Sequence, residues 1–483
     1  MSRKKEYLLL AGILTIATFL RFYHFADVPP GLFFDEAIDG NNAAEAATTG
    51  HWQVFYTEDD GREGLYVNMI AALLRLGLPH EPWVIRLPAA VAGVLTVLGL
   101  YLLAAELFGT CTGLVASFLL AVSFWHINFS RIGFRAILAP LLLIWSVHVL
   151  LRAFKARSPS KGFCSAAAAG AIYALGFYTY IAYRITPLLF LLFIPFFKNY
   201  AQFWKRTTVF IIATFLAAAP IGWYFARYPG DFFGRTSQIS VTNSGGPISH
   251  FAKNLAKTVR ALLYRGDRNW RHNLSGAPEL FWPVAFAFVA GALLGIYWLL
   301  KLWRKKDVRT FGWWLTFLWL ALATLPAAAS EEGIPHALRS ILMLPPVIML
   351  AAVAGVWGYE VSLRHANRTS VNAFAVVVLA AVAAYGYYEY FVLWAGNPNV
   401  ARAFNADYVA IGRDINALPR GVPKYVIVKA EGDMTRGIPM PAETTIFITN
   451  SFLPEEQAAK NIHYLLPSEA SKIPQGAWVF TLR

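Results

Sequence analysis

The stretch Phe33-Phe34-Asp35-Glu36-Ala37 places two adjacent carboxylates among aromatic residues, shortly after the first long apolar run of the chain. An ionisable group beside a membrane-length apolar run is costly and commonly marks a functional position. We therefore expect the rest of the chain to be a membrane scaffold that presents Asp35 on one side of a bilayer. The alternative is structural, since an aspartate before a helix is a good N-cap.

The composition favours a polytopic membrane protein. Hydrophobic residues make up 57% of the 483 residues and charged residues only 14%, whereas soluble domains carry about 25% charged residues. The formal net charge of +14 does not indicate a nucleic-acid partner, because most lysines fall in short clusters between apolar runs. Cys111 and Cys164 provide neither a disulfide framework nor a metal-ligand spacing.

About eleven apolar stretches approach the length of a membrane-spanning helix. With a cytoplasmic N-terminus, the basic loops 152–161, 198–206 and 301–309 face the cytoplasm, as the positive-inside rule requires. The sequence thus predicts a multi-pass protein of the plasma (inner) membrane whose active site and C-terminal region are extracytoplasmic. The predicted spans are 7–25, 84–107, 110–127, 134–153, 163–179, 184–197, 207–227, 280–300, 310–328, 337–358 and 371–394.

The predicted outside segments contain secondary structure of their own. The first outside loop, 26–83, is predicted to hold short helices at 39–48 and 66–76, and the second, 228–279, an amphipathic helix at 248–264. We divide the chain into a transmembrane domain, 1–395, and a small soluble α/β domain, 396–483. In the latter the pattern predicts helices at 405–418 and 454–465 and strands at 424–429, 444–449 and 478–482.

Asp35 is the candidate catalytic base. Glycosyl transfer with inversion at the sugar requires one base that removes the acceptor proton on the face opposite the leaving group. Aromatic neighbours such as Phe34 would supply a stacking surface for a sugar, and Glu36 would orient the acceptor.

The stretch Gly61-Arg62-Glu63-Gly64-Leu65-Tyr66 is a candidate phosphate site at the start of a helix. Backbone N–H groups at a helix N-terminus favour anions, and Arg62 could hold a phosphate oxygen bidentately. Glu63 and Tyr66 are predicted to contact substrate. The alternative is a surface turn in which Arg62 and Glu63 are solvated.

Further cations and aromatic residues lie in the predicted outside turns. Arg131 and Arg135 are four residues apart, which predicts one helix face, although interfacial snorkelling would also explain them. His336 and Arg339, three residues apart at the start of the tenth span, form an ionisable pair within a span. The remaining candidates for substrate binding are Tyr183, Arg184, Arg268, Trp270, Arg271, His272 and Asn273, of which the last five could instead belong to a solvated loop.

The sequence gives no strong metal signature. There is no His-Glu-x-x-His motif and no cysteine pair, so we expect no cofactor. A hard divalent cation bound by Asp35, Glu36, Asp39, Glu58, Asp59 and Asp60 is the alternative. The absence of a phosphate-binding loop of the Walker A type weighs against ATP-driven transport.

Several of these motifs together resemble a known superfamily. The first span ends in Arg21-Phe22, followed by Asp35-Glu36, by the 61–66 stretch, by Arg86-Leu87-Pro88 and by Pro335-His336-Ala337-Leu338-Arg339. Over about residues 5–360 the chain resembles the dolichyl-phosphate-mannose protein mannosyltransferases and lipid A aminoarabinose transferases, integral-membrane glycosyltransferases of the GT-C fold. The segment after residue 395 has no counterpart in this resemblance.

The resemblance implies that Asp35 is the catalytic aspartate of the first outside loop. Arg62 falls where lipid A transferases have a lysine in a Gly-Lys-Pro-Pro-Leu stretch that contacts the donor phosphate, with Glu63-Gly64 in place of Pro-Pro. It implies polyprenyl-monophosphate sugar donors and an inverting reaction without a metal. Oligosaccharyltransferases share the fold but use a metal with an Asp-x-Asp motif, which Asp35-Glu36-Ala37 lacks.

We therefore predict an α-helical polytopic GT-C protein that transfers a sugar from a polyprenyl-phosphate donor to a lipid, glycan or protein acceptor. The phosphate leaving group would be neutralised by Arg62 with Arg131, Arg135, His336 or Arg339. Two other functions would fit the same pattern. One is a transporter or flippase of lipid-linked saccharides, and the other is a non-catalytic membrane scaffold whose C-terminal domain binds a partner.

Overall fold

The computed structural model describes residues 2–238, 240–243, 245–302, 304, 308–331 and 333–483. Part of the predicted 301–309 loop, and Glu332 beside the predicted His336 site, lie outside the described residues. The chain forms two compact units. The membrane unit comprises Met1–Tyr23, Ala89–Ser130 and Arg135–Trp394, and the loop unit comprises His24–Pro88, Arg131–Phe134 and Ala395–Arg483.

Seven helices of the described residues are long and apolar enough to cross a membrane, and the chain is a multi-pass membrane protein. The predicted count of about eleven is not confirmed. These seven helices are Pro82–Phe108, Arg135–Lys155, Phe203–Arg227, Trp282–Leu302, Thr310–Ala328, Ile341–His365 and Arg368–Trp394.

The other predicted spans are helical but short or polar. Helix Arg3–Phe22 has charged residues at both ends, and Thr110–Val122 ends where Ser123 becomes extended. Helix Pro159–Leu175 has 17 residues. The predicted 184–197 span is broken into Ile181–Ile185, Pro187–Phe190 and Phe193–Phe197.

Glycines allow close packing of helices in the membrane unit. A Cβ at Gly170 would overlap the Phe210 carbonyl oxygen, where Pro159–Leu175 packs against Phe203–Arg227. A Cβ at Gly291 would likewise overlap the Leu350 carbonyl oxygen. Small residues at such crossings permit the backbone approach that stabilises helix pairs in lipid. The membrane unit also contains helices Phe124–Phe129, Pro229–Gln238 and Pro247–Leu263, the last of which confirms the predicted helix at 248–264.

The first part of the loop unit consists of two helices and a hairpin. Helices Phe34–Thr49 and Leu65–Arg75 pack against each other and confirm the two predicted short helices. Between them, strand Phe55–Tyr56 pairs antiparallel with strand Arg62–Glu63.

The last part of the loop unit contains a three-stranded parallel sheet, which confirms the predicted α/β character near the C-terminus. Strand Lys424–Val428 lies between Ile462–Leu465 and Trp478–Leu482 and pairs parallel with both. A short antiparallel pair, Met434–Thr435 with Ile438–Pro439, accompanies it. The helices are Pro398–Ala403, Ala406–Ala417, Glu443–Thr449 and Pro454–Lys460.

Two element predictions in this segment are wrong. The 444–449 segment is a helix rather than a strand, because its β-branched residues are buried all round and pack as a core helix. The predicted 454–465 helix ends at Lys460, where Asn461 takes a left-handed conformation (φ 52°) that closes the helix. The following residues form strand Ile462–Leu465.

Candidate functional site

Asp35 lies inside the first turn of helix Phe34–Thr49 rather than at its cap. Phe33 occupies the N-cap position, so the predicted capping role of Asp35 is wrong. The Asp35 side chain is 34% exposed and one of its oxygens lies 3.8 Å from Arg62 Nη2. A carboxylate in the first turn of a helix is stabilised by the helix dipole.

Arg62 is buried among carboxylates, so the predicted solvated turn is wrong. Its Nη1 donates to the main-chain oxygen of Asp35 at 2.6 Å and to Asp39 Oδ1 at 3.0 Å. Its Nη2 forms an ion pair with Asp59. These contacts fix Asp35 through its backbone and place Arg62 in a cluster of negative charge.

The hairpin turn brings Asp59 back against Arg62. Asp59, Asp60 and Gly61 all have positive φ angles, of 50°, 61° and 82°. Aspartate tolerates this left-handed region better than most residues, and glycine enters it without strain. The turn therefore places Asp59 beside Arg62, as a further carboxylate of the cluster.

Glu36 is fully buried and paired with Arg86. Its Oε1 lies 2.9 Å from Arg86 Nε and accepts the Gly133 N–H at 2.6 Å. Its Oε2 accepts from Arg86 Nη2 and from the Phe33 N–H, both at 3.2 Å. Glu36 therefore joins the helix start, Arg86 and the 131–134 segment, a geometry that fixes the position of its neighbour Asp35.

The C-terminal segment contributes a further buried carboxyl to the loop unit. Asn41, on the Asp35 helix, donates to Glu443 Oε2 at 2.7 Å. Burial raises the pKa of Glu443 to about 7, while the Asn41 hydrogen bond opposes this shift. Arg436 pairs with Glu45 at 2.7 Å and with Glu58 at 2.8 Å, which joins the same segment to the helix and the hairpin.

The other candidates of the loop unit have structural contacts. Arg131 Nη2 donates to the carbonyl oxygens of Val28 at 2.8 Å and His24 at 3.2 Å. The Tyr66 hydroxyl donates to the Ile85 carbonyl at 2.7 Å. Two further candidates are Phe34, whose ring lies 3.9 Å from that of Phe33, and Glu63, which is buried in the hairpin strand.

In the membrane unit, two histidines and an aspartate form a cluster. His272 Nδ1 lies 2.9 Å and His336 Nδ1 4.0 Å from Asp267 Oδ2, and the two imidazole centroids are 4.7 Å apart. The cluster lines a cavity of about 500 Å³. Four basic side chains also line this cavity, namely Lys257, Arg260, Arg265 and Arg268. Such a concentration of positive charge suits an anion such as a phosphate.

The loop around this cluster is held by its own hydrogen bonds. Asn273 Nδ2 donates to the Ala277 carbonyl at 2.7 Å, and Arg271 Nε donates to Asn269 Oδ1 at 3.2 Å. The Trp270 carbonyl accepts from Trp394 Nε1 at 2.7 Å. Of the five candidates predicted here, Arg268 and His272 therefore line the cavity, and the other three have contacts that shape the loop.

Two predicted helix faces are wrong. Helix Phe124–Phe129 has Ser130 as its C-cap, and Arg131 lies in a turn before the 3₁₀ helix Arg135–Ile137, so Arg131 and Arg135 share no helix face. His336 and Arg339 lie in a turn ahead of the 3₁₀ helix Ile341–Met343, because the tenth predicted span begins at Ile341. Arg339 contacts the Ser330 hydroxyl in this turn.

Tyr183 and Arg184 lie in the 3₁₀ helix Ile181–Ile185. Tyr183 is buried among aromatic rings. Arg184 donates to the Phe232 carbonyl at 2.6 Å, and its guanidinium lies 4.2 Å from the centroid of the Phe232 ring. Arg184 also lines a largely apolar cavity of about 840 Å³ between helices of the membrane unit.

The structure thus groups Asp35, Glu36 and Arg62 in the loop unit, and Arg268, His272 and His336 in the membrane unit. Sequence analysis missed Asp267 and Glu443 as candidates, and it quoted Arg86 only as part of a resemblance. Arg86 lies near the start of an apolar span, and this position could have identified it, because a buried charge requires a partner. Neither acid has a local motif that would have distinguished it.

Comparison with known proteins supports the fold. Residues 65–224 match the dolichyl-phosphate-mannose-protein mannosyltransferase family. No curated protein matches the chain. The apo oligosaccharyltransferase of Archaeoglobus fulgidus is 15% identical with a TM-score of 0.58, and the match covers 93% of this chain and 64% of that one.

Two further structures are similar over nearly the whole chain. ArnT from Cupriavidus metallidurans, bound to undecaprenyl phosphate, is 14% identical with a TM-score of 0.56, over 96% of this chain and 90% of ArnT. The oligosaccharyltransferase AglB from Archaeoglobus fulgidus, with an inhibitory peptide and a dolichol-phosphate, is 15% identical with a TM-score of 0.53, over 97% of this chain and 70% of AglB. The predicted resemblance is confirmed, and the chain has the GT-C fold.

Proposed function

We propose that the chain is an inverting glycosyltransferase that moves a sugar from a polyprenyl-phosphate donor to an acceptor on the outer face of the membrane. The observation that carries the proposal is the position of Asp35. Among the four carboxylates that contact Arg62 or Arg86, its side chain is the most exposed, at 34%. Asp39 and Glu36 are buried, and the Asp59 side chain is 19% exposed.

In the proposed reaction Asp35 is the general base. It accepts the proton of an acceptor O–H or N–H group as the acceptor atom bonds to the anomeric carbon. The bond from that carbon to the donor phosphate oxygen breaks, and polyprenyl phosphate leaves. Attack from the face opposite the phosphate inverts the configuration at the sugar.

Arg62 and Glu36 have positioning roles in this proposal. Arg62 binds the main-chain oxygen of Asp35 and two other aspartates, and these contacts support a role in orienting the base rather than in binding phosphate. Glu36 is buried against Arg86 and supports the same helix turn from the other side. A base held in a fixed direction loses less freedom when the acceptor binds.

We propose that the donor is bound in the membrane unit. The basic cavity lined by Lys257, Arg260, Arg265 and Arg268 has the charge to bind the donor phosphate. The largely apolar cavity beside Arg184 has the lining expected for a polyprenyl chain. The structure of ArnT with undecaprenyl phosphate supports this class of donor by its shared fold.

The proposal places the loop unit on the outer side of the membrane. The basic loops at 152–161 and 198–206 support a cytoplasmic side for those loops and therefore an outer location for the loop unit. The acceptor is a lipid, a glycan or a protein. We also expect the base step at Asp35 to proceed without a metal ion.

A transfer assay tests the proposal. Purified protein in lipid nanodiscs is incubated with a panel of radiolabelled polyprenyl-phosphate sugars and total membrane acceptors, with and without EDTA. Loss of a positioned general base costs about 10²–10⁴-fold in rate, so Asp35→Asn should lower the initial rate at least 100-fold. Donor binding, measured separately by equilibrium dialysis, should change less than threefold.

Asp27→Asn is the matched control, because Asp27 is an exposed aspartate of the same unit. Its initial rate should stay within twofold of wild type. An Asp35→Asn rate within tenfold of wild type would remove Asp35 as the base. If wild type transfers no sugar from any donor but translocates a lipid-linked saccharide in proteoliposomes, the chain is a flippase and the transferase proposal fails.

A further inference from the structure

Helix Pro247–Leu263 of the membrane unit presents a row of exposed apolar side chains. Ile248 is 86% exposed, Val259 44% and Leu263 39%. At about 100° per residue, these three side chains lie within roughly 60° of one another around the helix. A contiguous apolar surface of this kind marks a site that contacts a membrane or another molecule.

A row of basic side chains runs along the same helix. Lys253, Lys257 and Arg260 are exposed, and they also lie within roughly 60° of one another around the helix. Residues 247–266 contain Arg265 as a further basic residue and no acidic residue. The basic row and the apolar row are centred roughly 120° apart, so the helix has two different exposed faces and a third face for packing.

The third face is fixed at the end of a membrane span. Asn254 is buried, and its Nδ2 donates to the Ser330 carbonyl oxygen at 2.7 Å. Ser330 lies just beyond the end of the span Thr310–Ala328, against which the helix packs. An apolar span ends where the hydrocarbon core meets the headgroups. This contact therefore holds the helix close to the membrane surface.

A second span begins beside the same helix. The Glu279 N–H donates to the Ala261 carbonyl oxygen at 3.0 Å, and the Leu280 N–H donates to the Leu262 carbonyl oxygen at 3.3 Å. The span Trp282–Leu302 starts directly after these residues. Its start and the end of the next span lie on one side of the membrane, because consecutive spans run in opposite directions. The helix is therefore attached to two spans at one membrane surface.

We propose that helix Pro247–Leu263 lies in the headgroup region of the bilayer and binds anionic phospholipids. Its apolar row enters the upper part of the acyl chains, and its basic row contacts lipid phosphates. Tyr264, which is 64% exposed and follows the helix directly, suits the same depth, because tyrosine is enriched at membrane interfaces. The proposal concerns lipid binding and does not rest on the proposed sugar transfer.

Charge favours a lipid surface over a second copy of the chain. A second copy docked face to face would bring an identical basic row against this one, and like charges repel. Anionic headgroups already lie at the level of the helix. Each lysine or arginine near such a surface strengthens binding about fivefold.

Lipid contact is measured at one labelled position. In full-length protein with the exposed native cysteines replaced (Cys111→Ser, Cys164→Ser), Ile248→Cys carries an environment-sensitive fluorophore. The protein is placed in nanodiscs of phosphatidylcholine and phosphatidylglycerol in equal parts. Lipids brominated on their acyl chains should quench this label, and iodide in the water should not. Lys253→Cys, on the basic row of the same helix, is the matched control, and iodide should quench its label more than brominated chains do.

The same Ile248 label reports the class of lipid. At equal mole fraction in about 50 mM salt, brominated phosphatidylglycerol should occupy the site at least roughly tenfold better than brominated phosphatidylcholine. The preference should fall in about 500 mM salt, which screens exposed charges. Lys253→Gln should lower the preference about fivefold. Lys253 is not among the residues that line the basic cavity, so this variant leaves the proposed donor site intact.

Lys429→Gln is the control for lipid preference, because Lys429 is an exposed lysine of the loop unit, and its preference should equal that of wild type. Quenching of the Ile248 label by iodide and not by brominated lipid would place the apolar row in water. Protection from both quenchers would mean that a protein surface, such as a second copy, covers it. Equal occupancy by the two brominated lipids would remove the preference for anionic lipid. Each of these three results would overturn the proposal.

Discussion

Replacing Glu36 by glutamine should destabilise the loop unit, because it removes the anion of a buried ion pair. The Glu36 oxygens accept from Arg86 at 2.9 and 3.2 Å, from the Gly133 N–H at 2.6 Å and from the Phe33 N–H at 3.2 Å. Glutamine has nearly the same shape, but its amide nitrogen replaces one acceptor and faces an N–H donor. The Arg86 guanidinium would remain buried without its counter-ion.

Removing one partner of a buried ion pair costs about 3–5 kcal/mol. Amide hydrogens that exchange through opening of helix Phe34–Thr49 should therefore exchange at least roughly 100-fold faster, since each 1.4 kcal/mol is a factor of ten. Hydrogen–deuterium exchange with mass spectrometry, on protein in nanodiscs, measures this for peptides from that helix.

Glu81→Gln is the matched control for this measurement. Glu81 pairs with Arg413 at 2.7 Å, but the arginine side chain is 55% exposed. Surface ion pairs contribute about 0–1 kcal/mol, so exchange in the control should accelerate by less than about fivefold. Equal acceleration in the two variants would refute the reasoning that the Glu36–Arg86 pair holds the start of the Asp35 helix.

Two further predictions concern the C-terminal segment and the basic cavity. Burial raises the pKa of Glu443 from its ordinary value of 4.5 to about 7. The stability that it contributes is therefore complete below pH 4.5 and is lost as the pH rises through 7, by roughly 3 kcal/mol. Glu443→Gln should flatten this dependence of stability on pH. Hydrogen–deuterium exchange of peptides from helix Glu443–Thr449 at pH 5 and pH 8 measures it. An equal dependence of stability on pH in wild type and variant would contradict the prediction. Arg268→Gln should raise the KM for the donor about tenfold and leave kcat nearly unchanged, because Arg268 would contact the donor phosphate both before and during the reaction. An unchanged KM in donor titrations would contradict the assignment of the phosphate to this cavity.

The fold class was accessible from the sequence because lipid imposes a simple pattern on the chain. Long apolar runs separated by basic loops predict a multi-pass protein regardless of how the helices pack. The number of spans was harder to predict, since Ser123 and the residues around Pro187 end helices within apolar stretches. Hydropathy alone does not reveal where such a run changes direction.

Part of the carboxylate cluster was also predictable. Arg62 was identified from its place between two glycines, and Asp35 from its position after an apolar run. Their mutual contact, and the burial of Arg62, were not predictable, because they depend on the backbone turn through Asp59, Asp60 and Gly61. The prediction of a phosphate contact for Arg62 considered its charge but not the carboxylates that fold back against it.

The C-terminal segment illustrates how tertiary contacts override local preference. Its 444–449 residues are rich in β-branched side chains, which favour strands. They form a helix because every side chain of Glu443–Thr449 is buried, and Glu443 is held by Asn41 of a helix about four hundred positions earlier. No single-sequence pattern carries information over that distance.

The division of roles between Asp35 and Glu36 follows from helix geometry. Consecutive helical residues point about 100° apart, so the side chains of Asp35 and Glu36 have different surroundings. The interior position belongs to Glu36 because Arg86 and the Gly133 N–H supply its partners, and a buried carboxylate without them would be prohibitively costly. Asp35 is then the acid directed toward the surface, with Arg62 on its backbone. The Asp-Glu motif therefore contains one carboxylate that holds the turn and one that is partly exposed, to which we assign the proposed proton transfer, and Arg86 determines which is which.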